Sequence, residues 1–554
     1  MAPPYGLITL TAVLSVTLIY LLSILPLGRR PRGFPPGPPT LPIIGNLHLM
    51  PSKPGETGQK FEEWARKYGP IYSVILGTQV WIVLNKDWVV RDLLDKRGAI
   101  YSSRPDAYLA QTVFSGGMRS FLIKDGKTFK RNRRLGRLHL NEKVSRVYAL
   151  YQDLENKAML VDFLERPELF IDHFKRFTTS VTARIVYGSR VLAHNNSIHK
   201  ALFLSFDRFS EICFSSAATL LDMYPLLRLL PDPLLPAKKL ARGYHQAERE
   251  NFMQLYQDLK KKTREDTAPP CFCREMVRVQ EEEGLSDVEA AYTCGSLLQG
   301  GLGSTVETLT GFVKAMVLFP NVVKTAQTEL DRVCGDRIPD LSDWTNLSYV
   351  RGCVKEVLRW LPAGPLGIPH ALTTDDEYMG YKLPKGATVI CNVRAIHHDP
   401  DRYPNPWDFD PTRWIHDDET AAQSATNADV TKRDHFAFGA GRRLCQGIFI
   451  AERSLFLAIS RLLWGFNFKR VVDIDSGAEI PIPGPEDLQG GMFVMPRPFR
   501  ATVVPRDEEK ERLVRQAWNE ASKLYLDERT MQWKDDTGPS KTITGNGGND
   551  GKEV

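Results

Sequence analysis

"FAFGAGRRLCQGIFIAERSLFLAISRLLW" runs from Phe436 to Trp464, and its reading decides the fold. Gly439 and Gly441 precede Cys445, and Gly447 follows it. An apolar helical period then sets in, with Ile448, Ala451, Leu455 and Ile459 on related faces. A thiolate at the start of such a helix gains from the positive end of the dipole and from backbone N–H groups that the first turn leaves unpaired. The glycines let the backbone approach a flat ligand closely. Arg442 and Arg443 bring fixed positive charge to an acidic group on that ligand. A single cysteine is most often a small buried hydrophobe. Here its neighbours make it a candidate metal ligand.

The rest of the chain bounds what such a site serves. The 554 residues are 42% hydrophobic and 25% charged, enough for a large core, and show no repeat of fixed period. A net charge of +6, with no basic stripe interleaved with aromatics, argues against a nucleic-acid partner. The eight cysteines are irregularly spaced, and Cys271 and Cys273 have no matching second pair. That pattern does not indicate zinc, and a reduced, cytosol-facing body is expected, in which the sequons at Asn195 and Asn346 stay silent. Leu7–Leu27 carries no charge, and about 20 apolar residues span a bilayer. Arg29, Arg30 and Arg32 follow and hold the C-terminal side in the cytosol. With no basic region before it and no small-x-small site after it, the segment is expected to be an uncleaved anchor.

The chain is therefore expected to divide into residues 1–28 as anchor and flank, 29–45 as a basic, proline-rich linker, 46–505 as the body, and 506–554 as a charged helical and disordered tail. Ile71–Leu76 and Val80–Leu84 read as a strand hairpin turning at Gly77, and a second strand-rich patch surrounds Tyr378–Val389. Helical periodicity dominates elsewhere, as in Ala149–Phe163, Phe170–Tyr187 and Val288–Leu318. The body is mainly α with minor β. Leu226–Arg242, apolar, proline-broken and basic, reads either as a surface connection or as a flap dipping into the membrane.

Phe438-x-x-Gly441-x-Arg443-x-Cys445-x-Gly447 resembles the haem-binding loop of the cytochrome P-450 superfamily, the haem-thiolate monooxygenases. Glu356 and Arg359, one helical turn apart in "KEVLRW", resemble its Glu-x-x-Arg helix. "FDPTRW" resembles its Phe-x-Pro-x-Arg segment, with Trp414 where Phe is commoner. The resemblance covers about residues 34–505 and implies a single large triangular-prism fold behind an N-terminal transmembrane helix. It implies haem b with Cys445 as axial thiolate, framed by Phe438, Arg443 and Gly447, and a structural ionic cluster of Glu356, Arg359 and Arg413. "GKTFKRNRRL" resembles the Trp-Arg-x-x-Arg helix, with Phe129 and Lys130 substituted, so Arg133, Lys130 and His370 are implied to meet the propionates. Implied partners are an NADPH-dependent flavoprotein reductase, O2, membrane lipid and a small apolar substrate. Arg131, Arg134, Arg137 and Arg442 are candidates for the reductase-facing patch. The implied location is the endoplasmic reticulum membrane, single-pass, with the catalytic domain in the cytosol. The flavour is that of fungal enzymes of specialised metabolism.

"GSLLQGGLGSTVE", Gly295–Glu307, has the glycine spacing of a phosphate cradle but no Lys-Ser/Thr after it, which excludes that reading. Set against the superfamily's Ala/Gly-Gly-x-Asp/Glu-Thr-Thr motif, Gly300, Gly301 and Thr305 match, Gly303 replaces the acid and Ser304 the threonine. Mid-helix glycines cost about 1 kcal/mol each, so a local opening over the haem is expected. Ser304, Thr305 and Glu307 are the implied catalytic residues, with Glu307 one turn beyond Ser304 and placed to pass protons. The expected activity is hydroxylation or a related oxidation of an apolar molecule. Oxidative phenol coupling at the same centre is the alternative reaction, and a non-catalytic haem sensor or carrier the alternative class. Phe114, Leu298, Leu366 and Phe493 are apolar enough to line a substrate chamber, and equally suited to the core.

Overall fold

A computed structural model describes residues 26–192, 197–473, 475–491 and 493–534. Of the anchor expected at Leu7–Leu27, residues up to 25 lie outside the described ones, as do Asn195 and residues 535–554. Among the described residues no single helix is long and apolar enough to cross a membrane.

Helices make most of the body. Those that carry the argument are α1 (Thr57–Tyr68), α2 (Lys127–Leu140), α3 (Ala149–Glu165), α4 (Phe170–Tyr187), α5 (Ser197–Cys213), α6 (Pro236–Arg264), α7 (Asp287–Gly300), α8 (Ser304–Leu318), α9 (Ser348–Trp360), α10 (Ile448–Gly465) and α11 (Glu508–Tyr525). The main core gathers Phe163 of α3, Phe174 of α4, Phe312 of α8, Val357 of α9 and Leu462 of α10. Every residue of α10 from Ser454 to Gly465 is buried, as is nearly all of α8. That burial explains why both segments are apolar all round rather than striped.

The sheet content is small. β1 (Ile71–Leu76) and β2 (Gln79–Leu84) form the expected hairpin, in the register Ile71 to Leu84, with Gly77 at φ 59° in the turn. β3 (His370–Ala371), β4 (Asp376–Tyr378), β5 (Tyr381–Leu383) and β6 (Thr388–Cys391) divide the second strand-rich patch. β4 and β5 pair with each other, while β6 runs parallel to β2 and carries β3 on its far edge. This places His370 in a sheet rather than a loop. β7 (Phe466–Arg470) pairs with β10 (Ala501–Pro505), and β8 (Leu488–Gly490) with β9 (Val494–Pro496).

The stretch that periodicity reads as one helix is divided at the opening expected of its glycines. Val288–Leu318 is not a continuous helix: α7 stops at Gly300, and α8 starts at Ser304. The intervening turn is fastened to α4, where the Thr178 hydroxyl donates to the Leu302 carbonyl at 3.2 Å. A Cβ on Gly301 would stand 2.6 Å from Thr182 Oγ1, so only glycine lets this turn approach α4. In the Leu226–Arg242 stretch, Leu226 and Leu229 are each 81% exposed, in short helical turns ahead of α6.

Candidate active site

The cysteine loop is held from both sides. Gly441 adopts φ 61°, and a Cβ there would lie 2.1 Å from the Leu94 carbonyl oxygen, so no other residue fits. The Cys445 amide donates to the Phe438 carbonyl at 3.0 Å. Gly447 caps α10, and its N–H donates to the Cys445 sulfur. From α2, Arg133 donates to the Leu444 carbonyl, and the Gln446 side chain returns a bond to the Arg133 carbonyl at 2.8 Å. Cys445 is exposed, opening onto a cavity of about 450 Å³ walled in part by Arg137, Gln446 and Phe449. The packing around its sulfur nonetheless raises the thiol's pKa, while the Gly447 N–H and the Arg133 guanidinium oppose that rise.

A positive corner stands beside this loop. Arg443 donates to the carbonyls of Ser102 and Ile123, each at 2.8 Å, with its guanidinium 3.5 Å from the centre of the Phe129 ring. Phe129, standing where the superfamily's motif has tryptophan, stacks on this guanidinium but has no indole N–H to donate. Arg104 is buried and donates to Phe121, Ile368 and Pro369 carbonyls. His370 gives its Nδ1 proton to the Tyr101 carbonyl at 2.8 Å. Burial and the Arg104 guanidinium push His370 down to about 3, so it is neutral. Burial, Arg443 and Arg133 together press against the charged form of Arg104. Among the described residues that bear on these guanidiniums, Asp125 is the one carboxylate. Closely set cations with so little counter-charge suit a ligand bearing carboxylates. A flat metal-bearing group with two propionates, next to a thiol on a helix N-terminus, meets that demand, so the residues present fit haem. Lys130 is exposed on α2 and makes no side-chain hydrogen bond among the described residues, unlike Arg133 on the same helix.

The ionic cluster lies deep behind the loop. Glu356 and Arg359 are both fully buried on α9, bonded at 2.7 and 2.9 Å. Arg359 also donates to the carbonyls of His397, Pro406 and Asp408. Arg413 approaches Glu356 at 3.4 Å and donates to the carbonyls of Pro404 and Asn405. The Trp414 indole N–H gives Glu356 a further bond at 2.9 Å. Phenylalanine at that position has no such donor.

The distal helix turns an acid toward its own break. Ser304 and Thr305 open α8, Thr305 buried and Ser304 half-buried. A Cβ on Gly303 would stand 3.2 Å from Glu307 Oε1, so the glycine leaves room for that carboxyl. Part of the Glu307 side chain reaches open space, but Oε2 has no solvent contact and no hydrogen-bond partner. Burial, assisted by the neighbouring Asp207 carboxylate, raises Glu307 to about 8. At neutral pH it is a protonated acid. Phe206 of α5 lies beside Gly303 and stacks with Phe493, ring centres 6.1 Å apart.

Of the four candidate lining residues, Leu298 adjoins the break, its carbonyl accepting from the Gly301 N–H at 3.1 Å, and Phe493 reaches it through Phe206. Phe114 packs on Phe209 and Tyr244, Leu298 belongs to a core cluster around Phe252, and Leu366 packs against the cluster around Phe61. Arg134 pairs with both oxygens of Glu283, and Arg131 faces Glu289, which leaves Arg137 and Arg442 as the exposed cations of that group with no ion pair among the described residues. The sequence reading missed Arg104 and Phe206. An arginine-proline pair heading an apolar stretch was the available signal for the first; nothing local marked the second.

The family described as cytochrome P-450 matches residues 35–483. The cytochrome P-450 monooxygenase virE of Hypocrea virens is 49% identical over 94% of this chain and 94% of its own length. The monooxygenase fogE of Aspergillus ruber is 50% identical over 95% and 96%, and fsoB of Humicola fuscoatra 43% over 92% and 93%.

Proposed function

The chain belongs to the cytochrome P-450 family, monooxygenases that carry haem on a cysteine thiolate, and from that premise we propose that Cys445 would hold the haem iron and that Glu307 is the acid that holds a proton at the helix break for the oxidation. Bound haem supplies the oxidising chemistry: with O2, two electrons and two protons, one oxygen atom enters the substrate and the other leaves as water. The substrate is a small apolar molecule of fungal specialised metabolism, supported by the aromatic surroundings of the helix break and by relatives drawn from several fungi. An N-terminal anchor at residues 7–27 holds the enzyme on the endoplasmic reticulum, with the exposed leucines at 226 and 229 touching the same lipid. A flavoprotein reductase using NADPH docks near Arg137 and Arg442.

The chain's residues divide the work. Arg104, Arg133, Arg443 and neutral His370 bind and orient the cofactor's carboxylates. Gly447 donates to the thiolate and tempers it. Ser304 orders water at the opened turn, and Thr305 packs behind it. Glu307 holds a proton at neutral pH and delivers it through Ser304 or that water, in place of the acid that Gly303 lacks. The observation that carries this reading is the unpaired Glu307 Oε2, folded over Gly303.

A local acid favours oxygen insertion over phenol coupling. Turnover with a reconstituted reductase tests the reading. Product heavier by one oxygen, in proportion to NADPH consumed, is expected. Loss of two hydrogens on joining two phenols would establish coupling instead, and absence of NADPH consumption would establish a sensor or carrier.

A further inference from the structure

The 104–123 segment, α5, α6 and the end of α7 meet beside the helix break and form its roof, and within it Arg119 and Glu248 make a buried ion pair, each 1% exposed. Arg119 lies on the 104–123 segment, Glu248 on α6. Arg119 Nη2 donates to both Glu248 oxygens at 2.7 Å, Nη1 to the Gln299 side-chain oxygen, and Nε to Ser115 Oγ at 2.9 Å. Glu248 also accepts from Ser205 of α5 at 2.6 Å and from Gln299 Nε2 at 3.0 Å. The guanidinium lies 3.8 Å from the Phe209 ring centre. A second stitch, from the Ser120 amide to Ser296 Oγ at 3.3 Å, runs alongside.

This arrangement joins four separate segments at one point: the 104–123 segment, α5, α6 and the last turn of α7. Gln299 is the residue before Gly300, so the network ends where the helix opens. A fully desolvated ion pair adds little net stability over apolar packing of the same volume. What it adds is direction, because a planar guanidinium with all three nitrogens engaged, on Glu248, Gln299 and Ser115, holds those partners in one orientation.

We infer that Arg119, through Glu248 and Gln299, is a positioning residue that locks the roof segments onto the last turn of α7 and so fixes the orientation of the helix break and its acid. The inference rests on the proposed role of that break. The lock also sets how readily the roof parts to admit a ligand.

The test uses the full-length holoenzyme and three readouts: hydrogen exchange at residues 104–123 and 296–303, stopped-flow binding of imidazole, and product formed per NADPH. Arg119→Lys removes the fork and keeps the charge. Arg119→Met combined with Glu248→Leu replaces the pair by apolar bulk and guards against a variant that merely fails to fold. Both are expected to exchange faster in the two segments, to bind and release imidazole about fivefold faster, and to divert more NADPH to peroxide. Glu248→Gln, which keeps its neutral hydrogen bonds, is expected to fall between them and the wild type. Wild-type exchange and imidazole rates in both Arg119 variants would overturn the inference. Neither of those readouts depends on oxygenation, so failure of the proposed activity would show separately, as absent turnover in the wild type.

Discussion

Glu307 is the residue on which proton delivery turns. Its carboxyl titrates near 8 when folded, against 4.5 when free. The folded chain therefore holds a proton that the unfolded chain releases between those values, so this group favours the folded state less as pH rises from about 4.5 to 8. Glu307→Gln should flatten that part of the stability profile, read as the difference between wild-type and variant melting curves across pH. The same substitution should cut product per NADPH, by about tenfold or more if Glu307 is the main donor, with peroxide rising to match. In the wild type, coupling should fall as pH passes 8. Much of the site was legible at this scale where chemistry is local: Cys445, its glycines and Arg443 lie within one short loop. Glu307 was legible as a helical neighbour of Ser304, though its lack of a partner was not. Arg104, whose bonds reach residues 121, 368 and 369, and Arg119, bound to residues 248 and 299, depend on contacts that no window of sequence contains. Trp414 looked like a departure from pattern, and its indole donor became meaningful only once Glu356 stood beside it.

At the scale of elements, the break between α7 and α8 separates stability from function. Gly303 is the N-cap of α8 with helical backbone angles, so Gly303→Ala should change stability by no more than about 1 kcal/mol. Its new methyl would meet Glu307 Oε1 at 3.2 Å, and product per NADPH should fall even so. Gly301→Ala should behave differently, because its methyl meets Thr182 at 2.6 Å in a packed contact. It should destabilise by about 1–3 kcal/mol, measured by chemical denaturation. Periodicity read this stretch as one helix because the apolar positions carry through from α7 into α8. The glycines hinted at softness, but the bond from Thr178 to Leu302 that fixes the break is tertiary. The β1–β2 hairpin was legible because its pairing is local, whereas β6 joined β2 across some 300 residues of chain, beyond any local signal.

The whole molecule is closed by its C-terminal extension. After α11 the chain folds back so that Trp533 is buried, its ring centre 4.7 Å from that of Tyr151 on α3. Gln532 exchanges two bonds with the Arg190 backbone, and Arg190 pairs with buried Glu155 at 2.6 Å. Composition marked residues 506–554 as a charged helical and disordered tail and gave no sign that Val514, Leu526 and Trp533 join the main core. Trp533→Ala should cost about 3 kcal/mol, measured by denaturation of the holoenzyme, with coupling unchanged. Breaking the Glu356 cluster, by Glu356→Ala, should cost about 3–5 kcal/mol and lower haem content with it, since α9 backs the cysteine loop. The effects on coupling and haem content presuppose a haem held by Cys445. The most direct measurement is the absorption spectrum of the reduced carbon monoxide complex, in the wild type and in Cys445→His. The wild type should show the strongly red-shifted Soret band of thiolate ligation, and the variant the shorter-wavelength band of an imidazole ligand. A Soret band in the same place in both proteins would contradict the account.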